Sequence, residues 1–245
     1  MDLKREDILE GRVEEAAMEA ERLGLFRRMT PDERLQSKRD ILSILPAGED
    51  VWLFGYGSLM WNPIIHYLER RPGHIFGYHR SYCLRTAMGR GTPERPGLTL
   101  GLERGGSCRG LLFRIAGDIA ENELDFVWNR EMISRAYTPR LVTAHAGGDA
   151  VRAIAFVINT RYEGYAGKLT MGETADAVAK AHGPLGRCSE YLENTVLHLD
   201  ELGIADGPMH KLLACVRARM AELGIDMKSA PTENGSRWLR GTGSR

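Results

Sequence analysis

The spacing of apolar residues changes twice along the chain, dividing it into a helical start, a strand-rich middle and a helical last third. In residues 1–48, Ile8, Val13, Ala17, Ala20 and Leu23 recur at roughly helical intervals up to Gly24. Thr30-Pro31-Asp32-Glu33 then has the form of a capping box, with a Thr cap, Pro at the first helical position and Glu three residues on. It predicts a second helix from there to about Leu45, stopped by Pro46. Residues 51–54 form an unbroken apolar run, Val51-Trp52-Leu53-Phe54, which reads as a strand buried on both faces. It opens into Gly55-Tyr56-Gly57-Ser58, a turn whose glycines permit backbone angles that other residues resist.

Rough alternation continues through residues 75–86. Residues 98–102 and 110–115 flank Gly105-Gly106, and residues 141–145 and 151–158 flank Gly147-Gly148, so two hairpins are expected. Between them the period returns to helical over residues 119–134. The last third predicts three helices, at about 172–182, 185–202 and 208–223, separated by Gly183-Pro184 and the Gly203 to Gly207 joint. A polar tail follows, in which Trp238 and Leu239 form an adjacent pair of large apolar residues. A strand-dense middle with helices inserted and appended implies an α+β fold, a small barrel-like mixed β-sheet with peripheral helices. The expected organisation is a helical extension over 1–48, a catalytic domain over 49–226 and a tail over 227–245.

At 245 residues with 43% hydrophobic content, the chain has enough apolar material for a real core. Lys+Arg and Asp+Glu are both 33, so the cationic excess that nucleic-acid binding requires is missing. No apolar run approaches the ~18 residues of a membrane span, and the charged N-terminus is unlike a signal peptide. Four scattered cysteines without a Cys-x-x-Cys spacing fit a reducing compartment. The expectation is therefore a cytoplasmic protein with no nucleic-acid or membrane partner, its oligomeric state left open.

Histidine and cysteine spacings match no metal site, and neither the nucleotide-binding glycine motifs nor a Gly-x-Ser-x-Gly elbow occurs, so no metal or cofactor is expected. Cys83 with His79 or His66 remains as a conceivable nucleophile pair, although cysteines are more often buried than reactive. One carboxylate stands apart. In the 119–134 helix the inward stripe is Leu124, Val127, Trp128 and Met132, and Glu131 falls on the same apolar face. Two readings follow: an ion pair with Arg135 at i+4, or a general base whose pKa is lifted by partial burial. Arg80, Tyr82, Arg90, Tyr137 and Tyr191 are the polar residues that would line a pocket for a small acid or zwitterion.

Four ordered blocks carry a resemblance: Phe54-Gly55-Tyr56-Gly57-Ser58-Leu59-Met60-Trp61-Asn62-Pro63; Tyr78-His79-Arg80 with Cys83-Leu84-Arg85; Gly89-Arg90-Gly91-Thr92; and Asn129-Arg130-Glu131-Met132-Ile133. Together with Glu190-Tyr191-Leu192 they resemble the ChaC family, the glutathione-specific γ-glutamylcyclotransferases, over roughly residues 51–224. The resemblance implies cleavage of glutathione to 5-oxoproline and cysteinylglycine in a compact barrel without a cofactor. It implies that Tyr56, Gly57, Ser58 and Leu59 hold the γ-glutamyl group through backbone amides and that Glu131 is catalytic. Arg80, Arg90, Tyr137 and Tyr191 would be further substrate contacts. Other γ-glutamyl compounds, or a non-catalytic glutathione-binding regulatory module, are the alternatives that the residues leave open.

Overall fold

The structure, a computed structural model, describes residues 3–225; the 227–245 tail, with Trp238 and Leu239, lies outside the described residues. The chain divides into two compact units. One comprises Leu3–Ser81 with Gly101–Tyr162, and the other Tyr82–Leu100 with the chain from Glu163 onward.

The first unit opens with α1 (Arg5–Leu9) and α2 (Arg12–Arg22), where helical spacing had suggested a continuous run. Gly11 separates them at φ +74°, a left-handed conformation that glycine adopts without steric penalty. Helix α3 (Pro31–Leu42) begins at the expected cap: the Glu33 amide donates to the Thr30 hydroxyl at 3.2 Å and the Thr30 amide to the Glu33 carboxylate at 2.9 Å.

Five strands close a barrel in the order β1-β3-β2-β4-β5: β1 (Val51–Gly55), β2 (Glu69–Thr86), β3 (Gly97–Ile115), β4 (Tyr137–Ala146) and β5 (Asp149–Ile158). The distal parts of β2 and β3 belong to the second unit by the division above. Strand β1 pairs antiparallel with β3 (Leu53 opposite Phe113) and parallel with β5 (Leu53 opposite Ile154). That double pairing leaves β1 no free edge, and its apolar run accords with burial on both faces, where Val51, Leu53 and Phe54 are all buried. Phe54, Phe113 and Phe156 fill the core, and α4 (Ala120–Glu131) lies against it with the Trp128 ring edge-on to Phe156 at 5.1 Å.

Strands β4 and β5 form the expected hairpin. Ala146 opposes Asp149, and Gly147 and Gly148 both have positive φ, as a two-residue turn with matching twist requires. The other expected hairpin does not exist. Residues 97–115 are one 19-residue strand, and Gly105 and Gly106 (φ +99° and +68°) sit inside it. The His79 ring bonds the Gly105 carbonyl at 3.0 Å. A glycine pair in a strand marks an irregularity as readily as a reversal.

The second unit holds α5 (Met171–Lys180), the two-residue strands β6 (His182–Gly183) and β7 (Gly186–Arg187), α6 (Cys188–Glu201) and α7 (Gly207–Glu222). Val178, Leu192, Leu199 and Val216 are fully buried in it. The expected 185–202 helix starts later because its first residues pair as β7 with β6. Among the described residues no helix is long and apolar enough to cross a membrane.

Candidate active site

At the carboxyl end of β1 the backbone is pressed from two sides. A Cβ on Gly110 would lie 2.2 Å from the Gly55 carbonyl oxygen, and one on Gly55 would lie 3.1 Å from the Leu59 Cβ. Absence of side chains lets β1 and β3 approach here and lets the chain double back. It passes through Tyr56 and Gly57 into a 3-10 turn, Ser58–Met60. The amides of Met60 and Asn62 return to the carbonyls of Gly57 (2.8 Å) and Ser58 (2.9 Å). Among the described residues, the amides of Gly57, Ser58 and Leu59 donate no hydrogen bond. Gly57 and Leu59 are buried. Ser58 is half-buried; a buried donor left unmatched costs roughly 1–3 kcal/mol, a local cost that an anionic or carbonyl oxygen would relieve.

Two residues hold this turn from behind. The Tyr56 hydroxyl donates to the Phe156 carbonyl at 2.8 Å, which ties the turn to β5. Arg80, only 7% exposed, donates through Nε to the Tyr56 carbonyl at 2.6 Å and through Nη2 to the Arg109 carbonyl at 2.7 Å. These contacts make Arg80 a brace of the turn.

Helix α4 brings the carboxylate. Leu124, Val127 and Trp128 are buried as their spacing required, and Glu131 is the last residue of the helix with 16% of its side chain exposed. Burial pushes its carboxyl above the ordinary glutamate range, and the Arg130 guanidinium beside it pulls the other way without overcoming that. The expected partner was Arg135, but Arg135 instead pairs with Glu33 at 2.6 Å. A helix-terminal residue has lost the regular i+4 neighbour, because the chain leaves helical geometry at Met132.

Arg130, the residue before Glu131 in the chain, joins the two halves of the site. Its Nε lies 3.0 Å from Glu131 Oε1, its Nη2 donates to the Ser58 hydroxyl and its Nη1 to the Asn62 carbonyl. One planar guanidinium thus connects the carboxylate to the glycine-rich turn. A cation next to an inward carboxylate near a helix end was the available signal, but its long-range partners were not readable.

Tyr137, Arg90 and Tyr191 were also singled out. Tyr137 opens β4 and lines a cleft of about 370 Å³ with Met29, Glu33, Met132, Arg135 and Pro139; neither Glu131 nor the turn lines it. Arg90 and Tyr191 belong to the second unit. There Arg90 donates to the Glu190 carboxylate at 3.1 Å and the Arg187 carbonyl at 3.2 Å, while Tyr191 meets the Tyr82 ring edge-on at 6.0 Å. Cys83 is fully buried, and burial pushes the Cys188 thiol up to about 11, far from a reactive thiolate. Among the described residues no group of three or more His, Cys, Asp or Glu side chains could hold a metal ion.

The family model described as ChaC-like protein matches residues 51–219. The glutathione-specific γ-glutamylcyclotransferase of Escherichia coli K12 is 37% identical over 192 residues, covering 78% of this chain and 83% of that protein. The γ-glutamylcyclotransferase 2-3 of Arabidopsis thaliana is 30% identical over 198 residues, covering 75% and 98%. A crystal structure of a yeast γ-glutamyl cyclotransferase specific to glutathione superposes with a TM-score of 0.65 at 23% identity, over 71% of this chain and 98% of that one, a likeness of fold. With a barrel of that architecture, and with the family match running from β1 through the Glu131 helix into α7, the chain belongs to the ChaC-like family.

Proposed function

We propose that this protein cyclises the γ-glutamyl group of glutathione, releasing 5-oxoproline and cysteinylglycine, with Glu131 as the general base. The substrate's α-amine attacks its own γ-carbonyl carbon, forming the lactam C–N bond, and the amide bond to the cysteinyl nitrogen breaks. Nucleophile and electrophile share one molecule, so the protein has to fold the substrate rather than supply a nucleophile; such oriented reactions reach effective molarities of about 10⁵ M or more. The α-amine is mostly protonated near neutral pH. Glu131 takes the ammonium proton and returns a proton to the leaving nitrogen. A carboxyl raised by burial suits that exchange better than a solvated one.

The observation that carries this reading is the Glu131–Arg130–Ser58 chain of contacts, which couples a half-dry carboxylate to a turn with three uncommitted amides. In this reading those amides, of Gly57, Ser58 and Leu59, receive the γ-glutamyl carboxylate or the developing oxyanion. Arg80 acts by holding the Tyr56 carbonyl. Contacts from Arg90, Tyr137 and Tyr191 to substrate are part of the proposal. Work in the reducing cytoplasm accords with the free thiols of Cys83, Cys108, Cys188 and Cys215.

Glu131→Gln tests the assignment. Release of 5-oxoproline from glutathione by the purified variant is expected to fall at least ~10³-fold with the fold intact; activity near the parent's would remove Glu131 from the mechanism. Assaying glutathione beside γ-glutamylalanine separates a glutathione-specific enzyme from a general γ-glutamyl one. Binding without product would mark a regulatory module.

A further inference from the structure

Residues 3–5 lie outside the span that the family model matches, yet they reach the loop that continues from the substrate turn. That loop, 61–68, has no regular secondary structure of its own. It contains Ile64 at φ +55°, the only non-glycine residue at positive φ among the described residues and a β-branched one. Such a conformation persists only where surrounding contacts impose it. Three of those contacts come from two sources. The Asn62 side-chain amide donates to the Leu3 carbonyl at 2.6 Å, and Arg5 Nη1 donates to the Ile64 carbonyl at 3.1 Å. The His66 amide donates to Glu123 Oε2 at 2.8 Å.

Arg5 also closes the link to the helix that bears Glu131. It grips the Glu123 carboxylate with two nitrogens, at 2.6 and 2.8 Å, and its guanidinium lies 3.5 Å from the Phe126 ring centre. Glu123 stands in the first turn of α4 with 5% of its side chain exposed, and Arg130 in the last turn holds the Asn62 carbonyl. One helix therefore clasps the loop at both ends, some ~10 Å apart along its axis. Arg5 adds a second tie between the loop and the helix's start, beside the direct bond from the His66 amide to Glu123.

We infer that the N-terminal segment is a positioning strap: Leu3 and Arg5 set the loop that holds Ser58 and Arg130 in place, so that they tune turnover without touching substrate. The inference rests on the reading of Glu131 and the turn given above. A slack loop would let Ser58 and the Arg130 guanidinium drift, and misplacements of about 1 Å cost up to ~10²-fold in rate.

The test compares Arg5→Met with Lys38→Met in the full chain. Lys38 fastens α3 to α4 through Asp125 at 2.6 Å and the Glu121 carbonyl at 3.1 Å, and among the described residues it has no hydrogen bond or ion pair to the loop, so its loss loosens the extension without touching the strap. Both variants are assayed for 5-oxoproline release well below their melting temperatures, with backbone amide exchange followed over residues 57–66. Arg5→Met is expected to lower kcat/KM about tenfold, mainly through kcat, and to speed exchange in that segment. Arg5→Lys, which cannot make the two-pronged contact, should recover only part of the loss. Lys38→Met should stay within about twofold of the parent in kcat/KM. An Arg5→Met enzyme within twofold of the parent overturns the inference, as does an equal loss in both variants, which would be stability alone. Should the parent release no 5-oxoproline from any γ-glutamyl compound, the reaction reading fails by itself, and exchange over 57–66 decides the strap.

Discussion

Glu131 and Arg130 are neighbours in sequence with opposed effects on one proton. Burial disfavours the charged carboxylate, while the guanidinium 3.0 Å away favours it, and burial prevails. A base must be ionised to act, so activity should rise with pH through the raised pKa, and the acid limb of kcat/KM should lie above the ordinary glutamate range. Arg130→Gln removes the influence that lowers this pKa. Its acid limb should therefore move to higher pH, and kcat/KM at neutral pH should fall about 10²-fold because the Ser58 and Asn62 contacts are lost as well. A pH–rate profile of the variant checks both; an unmoved limb would mean that the ion pair does not set the base's pKa. Arg80 and Tyr56 each hold a backbone carbonyl as well, of Tyr56 and Phe156 respectively.

At the scale of elements, the site depends on how closely β1 and β3 approach. A Cβ at position 110 would overlap the Gly55 carbonyl oxygen, an atom of backbone that cannot swing aside. Gly110→Ala should accordingly destabilise the barrel by on the order of 3 kcal/mol, read as a drop in the urea midpoint. Activity should fall further than stability at temperatures where the variant is still folded, since the displaced strand end carries the turn. Helix α4 does two jobs in the same space, with Leu124, Val127 and Trp128 sealing the barrel while Glu123, Arg130 and Glu131 manage charge at its ends. The helix was readable from its stripe. The continuous β3 was not, because two adjacent glycines suit a tight reversal and a distorted strand equally well, and only the partner strands distinguish them.

For the whole molecule, binding and turnover can be separated with the Glu131→Gln variant. It should still bind glutathione, because the turn amides and their braces are unchanged. Glutathione at about 100 times its Kd should stabilise the variant by roughly 2.7 kcal/mol, raising Tm by about 5–10 °C. Thermal melts with and without glutathione test this, and no shift at millimolar glutathione would count against the turn as the binding element. The two units need not melt together, so the reading should follow a signal from the barrel unit.

Local chemistry settled a good deal without any coordinates. The capping box at Thr30, the two-residue turn at Gly147-Gly148, the doubly buried β1 and the inward face of Glu131 each depend on residues within a few positions of one another, and period and turn type express those interactions directly. Tertiary structure alone decided that Glu131 pairs with Arg130 rather than Arg135, that Arg80 grips Tyr56, and that Arg5 reaches Ile64 and Glu123. Those contacts join residues 24 to 118 positions apart, or turn on where a helix ends, and no local spacing encodes which distant backbone carbonyl a guanidinium will find.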